Sequence, residues 1–317
     1  MKVSNKMIAK DMRFIGCIYK VILSSAPKKR KKAKAIKYKR HTNTDKTKKS
    51  YNEYILRPDG TKLRLQIKRP KNKSEKCPCV LWIHGGGYAM GMPEMQMMSM
   101  AKNLVDECII ISPEYRLSVE KPYPAALEDC YQTLLWIKEN VEALGGRNDQ
   151  IFVGGESAGG GLTVATCLYA RDTGEVNIAC QMPLYPMIDD RMNTDSMKDN
   201  NAPVWNEKQN KAAWKLYLDG CDTVSKYAAP AREEDYTNLP PAITFVGSIE
   251  PFRDETLTYV NNLKNAGIPV DFKMFDGCFH AFDMMAPWSK QAKKATEFFN
   301  QRIRYAYNNY YAPQQHK

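Results

Sequence analysis

The 317-residue chain carries 47 Lys and Arg against 35 Asp and Glu, a formal charge of +12, and its mean hydropathy is -0.54. No apolar run reaches the ~18 residues that a spanning helix needs, which excludes a membrane-spanning helix. The length fits one domain with a small covering element. Nine scattered cysteines, an odd number, read as reduced thiols in the cytoplasm. The positive charge is concentrated: residues 28–49 hold twelve basic residues and a single acid, Asp45. Such a run reads first as a solvated, mobile arm, and contact with an anionic membrane is the sharper alternative. No groove-reading motif or aromatic interleaving supports a nucleic-acid partner.

In chain order, Ile8, Met12, Ile15, Tyr19 and Ile22 recur at steps of four and three, the stripe of an amphipathic helix. Its apolar face either packs on the rest of the protein or lies on a membrane. Phe14-Ile15-Gly16-Cys17 has the look of a lipoprotein cleavage box, but Lys6, Lys10, Asp11 and Arg13 leave no apolar segment before it. Leu63, Leu65 and Ile67 alternate after Pro58-Asp59-Gly60, so residues 51–68 read as a hairpin. From Cys79 onward, predicted strands at 79–83, 108–112, 151–154, 178–185, 242–246 and 270–275 alternate with helical stretches. One of these carries the stripe Leu127, Cys130, Leu134, Ile137, Val141 and Leu144. That alternation predicts an α/β fold with a mostly parallel sheet and helices on both faces. Residues 189–235 break the rhythm with mixed polar and aromatic sequence and read as an inserted helical cap.

The chemistry sits at strand ends. Gly155-Glu156-Ser157-Ala158-Gly159 lies between a short strand and a helix, and a G-x-S-x-G turn of this kind forces its serine hydroxyl outward. His84-Gly85-Gly86-Gly87 follows the predicted strand 79–83. Backbone N–H groups of Gly85, Gly86 and Gly87, with that of Ala158, can be aimed at the oxyanion of a tetrahedral intermediate. Of the four histidines, His41 lies in the lysine-rich tract, His316 at the C-terminus and His84 in the glycine loop, which leaves His280 as general base. The acid that orients it is Glu250, after the strand 242–246, with Asp254 as runner-up. Asp189 and Asp190 are outside choices, and Asp276 shapes the approach to His280. Cys77-Pro78-Cys79 is too tight for a zinc pair and has no second pair, so no metal or organic cofactor is expected.

With Tyr115-Arg116-Leu117, Pro122-Tyr123-Pro124-Ala125-Ala126-Leu127-Glu128-Asp129, Leu239-Pro240-Pro241-Ala242 and His280-Ala281-Phe282 added, the chain from about residue 78 to 283 resembles the hormone-sensitive-lipase-like branch of the α/β-hydrolases. The resemblance implies Ser157 as nucleophile, His280 as base, and Gly86, Gly87 and Ala158 as oxyanion donors. It implies a carboxylesterase acting on small-molecule esters of short to medium acyl chains, with N-terminal helices forming part of the cap. A deacetylase of natural acetyl esters and a non-catalytic binding relative are the alternatives. The family usually has Asp at the positions of Glu250 and Glu156 and Gly at that of Ala281. The expected organisation is an N-terminal helix and basic arm over 1–50, a hydrolase core over 51–188 and 236–317, and a cap insertion over 189–235. Trp205, Trp214 and Tyr217 of that insertion are expected either to pack against the sheet or to line the substrate pocket.

Overall fold

A computed structural model describes residues 1–23, 43–70 and 76–315. Most of the lysine-rich tract, with His41, and also His316 lie outside the described residues. The described residues form one eight-stranded sheet of strands β1 (Ser50–Leu56), β2 (Lys62–Lys68), β3 (Cys77–Ile83), β4 (Ile109–Pro113), β5 (Gly146–Glu156), β6 (Cys180–Leu184), β7 (Ala242–Gly247) and β8 (Val270–Phe275). Their order in space is β1-β2-β4-β3-β5-β6-β7-β8. The hairpin β1–β2 joins β4 antiparallel, and every pair from β4 to β8 is parallel.

The period of two along the central strands sorts side chains onto opposite faces. Leu81, Ile83, Ile109, Ile111, Ile151 and Val153 belong to one apolar layer with α2 (Ala125–Asn140), α3 (Ala158–Thr173) and α5 (Arg253–Asn265). Val80, Trp82, Ile110, Phe152 and Met182 belong to the other, covered by Phe299 and Ile303 of α7 (Lys290–Asn309). Trp82 meets Phe299 edge-on at 6.3 Å between ring centroids. β3 is buried along its whole length, as a parallel strand covered on both faces must be.

The N-terminal helix α1 runs from Arg13 to Ile22 and begins later than the apolar stripe predicts. Ile8 and Met12 are fully buried, but the Ala9 N–H donates to Gly277 O at 3.0 Å, so this stretch docks on the loop after β8 instead of continuing the helix. Between β6 and β7 the chain leaves the sheet and forms α4 (Glu207–Tyr217), capped by the Asn206 side chain, which accepts from Gln209 N. α6 (Phe282–Met285) is a single turn directly after His280. Among the described residues no helix is long and apolar enough to cross a membrane.

Candidate active site

Four loops, at the C-terminal ends of the parallel strands β3, β5, β7 and β8, converge here. β5 ends at Glu156 and α3 begins at Ala158, leaving Ser157 alone in the turn with φ 58° and ψ -120°. That left-handed conformation is costly for a residue with a Cβ, and the structure must hold it from both sides. The Ser157 N–H donates to Leu184 O at 3.0 Å, while its carbonyl accepts from Gly161 and Met187 N–H. Glycine is required beside it: a Cβ at Gly159 would lie 2.1 Å from Ile83 O, and one at Gly155 would lie 2.4 Å from the same oxygen.

His280 bridges two partners. Its Nε2 lies 2.9 Å from Ser157 Oγ, and its Nδ1 lies 2.5 Å from Glu250 Oε2. The second oxygen of Glu250 accepts the Gly247 N–H at 2.7 Å, which fixes the carboxylate against the end of β7. All three residues are buried, with Ser157 at 7% exposure. The imidazole is walled edge-on by Tyr185 at 5.1 Å and Phe252 at 5.0 Å. Asp254 is elsewhere: its carboxylate accepts from Ser196 N–H and pairs with Arg253, both at 2.7 Å. Asp189 pairs with Arg191 and Asp190 with Arg232, while Asp276 accepts from the Ser248 hydroxyl.

The glycine loop abuts the serine turn. A Cβ on Gly85 would lie 3.2 Å from Ser157 Cβ. Gly86 and Gly87 have φ of 118° and 59°, conformations open to glycine. His84 stacks on Tyr115 at 4.2 Å, and the Tyr115 hydroxyl donates to His84 O, so the loop is pinned at its root. Burial lowers the His84 pKa to about 4, which keeps this imidazole neutral.

Trp205 lies between the glycine loop and the histidine. A Cβ on Gly87 would come within 2.5 Å of its ring, and the ring centroid is 6.3 Å from that of His280. Its Nε1–H donates to Asn210 Oδ1 at 3.1 Å. Trp214 and Tyr217 instead pack on Tyr88, with Tyr217 stacked at 3.9 Å.

Two further acids flank the site: Glu156, marked in the sequence only as a departure from the family's Asp, and Asp283, which was not singled out. Glu156 is buried with the Trp82 indole and the Gly85 amide near its carboxyl but neither in good hydrogen-bond geometry, and Asp283, one turn past His280, leaves Oδ1 unpartnered. Burial raises Glu156 to about 8, with the Asp283 charge adding and the Trp82 indole and Gly85 amide opposing. Burial likewise raises Asp283 to about 6, although the Tyr185 hydroxyl donates to it at 3.3 Å. The only sequence signal for the pair is an acid next to the serine and another just after the histidine.

A serine turn facing a glycine loop across the carboxyl ends of a mostly parallel sheet is the arrangement of an α/β-hydrolase. The family model for the alpha/beta hydrolase fold matches residues 80–284, and the chain belongs to this family, in its hormone-sensitive-lipase-like branch. The esterase LipI of Mycobacterium tuberculosis is 32% identical over 225 residues, 70% of each chain. The arylesterase of Saccharolobus solfataricus is 32% identical over 213 residues, 64% of this chain and 67% of that one. Among solved structures, a bacterial heroin esterase is similar with a TM-score of 0.78 at 34% identity, covering 81% of this chain and 84% of that chain.

Proposed function

We propose that the protein is a carboxylesterase acting on short- to medium-chain acyl esters through Ser157, His280 and Glu250. The observation that carries this reading is the His280 ring, hydrogen-bonded to Ser157 Oγ on one nitrogen and to Glu250 on the other. In the first half-reaction His280 takes the Ser157 proton as Oγ attacks the ester carbonyl. Gly86, Gly87 and Ala158 N–H groups stabilise the oxyanion, each such donor being worth ~3 kcal/mol. His280 then passes the proton to the departing alkoxide, which leaves as the alcohol, and Ser157 keeps the acyl group. In the second half His280 deprotonates water, the hydroxide attacks the acyl-enzyme, and the proton returns to Oγ as the carboxylic acid leaves. Glu250 holds the imidazole in the tautomer that presents Nε2 to the serine and stabilises the imidazolium.

The short-chain preference rests on crowding. Ser157 is 7% exposed, Trp205 stands over Gly87, and Tyr88 with Tyr217 fills the space beyond. Residues 189–235, which carry Trp205 and α4, act in this reading as a cap with the N-terminal helix. The Leu23 carbonyl accepting from Gln209 Nε2 at 2.7 Å links those two parts. All nine cysteines are free, which supports a reducing, cytoplasmic setting. The test is a series of p-nitrophenyl esters from acetate to laurate, with Ser157→Ala as blank. Serine-dependent turnover that peaks at the short esters supports the reading. Failure of a fluorophosphonate probe to label Ser157 would reject it.

A further inference from the structure

We infer that the outward face of α1 is a docking surface for an anionic lipid membrane, a property separate from the ester chemistry. The helix has two apolar sides. Its inner side is used: Gly16 lies against Ile8 and Phe279, and the Tyr19 ring meets Phe279 at 6.3 Å. Its outer side carries Phe14, Val21 and Ile22 at 81%, 77% and 67% exposure. Spacings of seven and eight residues put these three on one face, with the partly exposed Ile18 between them. A lone exposed apolar residue is ordinary, but a stripe along one helix face is not.

Charge identifies the occupant. Lys2, Lys6 and Lys10 are exposed beside the helix. The one acid of the first 23 residues, Asp11, accepts the backbone N–H of Lys290 at 2.7 Å. That bond also brings Trp288, 55% exposed and two residues earlier in the chain, near the start of α1. The chain that leaves α1 carries nine Lys and Arg between residues 28 and 40 with no Asp or Glu. An apolar stripe framed by cationic sequence matches the boundary between acyl chains and anionic headgroups, where apolar burial and phosphate attraction act together. The inner side of the same helix packs on Phe279, next to His280. A membrane held by α1 therefore lies beside the wall of the candidate active site.

The test is co-sedimentation of the full-length chain with vesicles of phosphatidylcholine alone and of phosphatidylcholine with roughly 30% phosphatidylglycerol, at low salt and at about 0.5 M salt. Binding should need phosphatidylglycerol and be lost at high salt. The variant Phe14→Ser/Val21→Ser/Ile22→Ser should weaken it by on the order of tenfold while keeping the parent's far-UV circular dichroism and melting temperature. A Phe14→Trp variant should show a blue-shifted emission on adding the anionic vesicles. Any of three results would overturn the proposal: no sedimentation with either lipid, a triple variant that binds as well as the parent, or a parent dimer that the triple variant converts to monomer. The last would make a second copy of the chain the occupant. None of these outcomes depends on whether Ser157 hydrolyses esters.

Discussion

Glu250 Oε2 lies 2.5 Å from Nδ1 of His280, while Asp254, one helical turn further on, is committed to Ser196 and Arg253. The two carboxylates therefore predict different phenotypes. Glu250→Gln should lower kcat by roughly three to four orders of magnitude with little change in fold, because an amide cannot enforce the same tautomer or stabilise the imidazolium. Asp254→Asn should lower the Tm while reducing kcat far less. Steady-state kinetics and thermal melts on both variants separate the two, and the reverse pattern would make Asp254 the acid.

Trp205 stands against Gly87 and is hydrogen-bonded to Asn210. Trp205→Ala should move the optimum of the p-nitrophenyl ester series to longer acyl chains and cost about 3 kcal/mol of stability from the cavity left. An unchanged chain-length profile would show that the ring does not limit the acyl group.

Glu156 predicts a pH dependence of stability. Its folded pKa, raised to about 8 by burial, exceeds its ordinary carboxylate value. Between those two values the folded chain retains a proton that the unfolded chain has lost, so stability falls as pH rises through that window and levels off at the lower value above it. Glu156→Gln keeps the shape and removes the titration. Melts between acid and alkaline pH should show a flatter decline for this variant than for the parent.

At the serine turn, Gly159→Ala places a methyl 2.1 Å from Ile83 O, a backbone atom of β3 that cannot yield cheaply. The expected loss is about 2–3 kcal/mol, read from denaturant midpoints. A neutral result would mean that the start of α3 shifts away from β3.

The fold was legible because its signals are local. Strand-helix alternation predicts a parallel sheet, and the observed pairs from β4 to β8 are parallel. The serine turn and the glycine loop carry glycines for steric reasons that any single sequence displays. His280 stood out because histidine is scarce. The partner of His280 was harder to read, since Glu250 and Asp254 both follow β7, and it is Glu250 that accepts the Gly247 N–H and meets the His280 ring. The start of α1 was misplaced because Ile8 and Met12 bury themselves by docking on the loop after β8 and not by helical periodicity. The relation of Glu156 to Asp283 was invisible, because it joins two distant stretches of chain through tertiary packing alone. The same holds for Trp205: its composition marked an aromatic insertion, but only folding decides that it meets Gly87 while Trp214 and Tyr217 meet Tyr88.

β6 stands between β5, which runs into the Ser157 turn, and β7, which leads to Glu250. None of Ser157, His280 and Glu250 lies on it, yet its width sets the gap that the His280 ring spans. The sheet thus serves as a gauge block for the hydrogen bonds that join Ser157, His280 and Glu250. A bulge in residues 180–184 would shift the Ser157 turn relative to Glu250 without replacing any of the three residues. Variation in that strand is a way to tune or silence such a protein without touching the residues by which its kind is recognised.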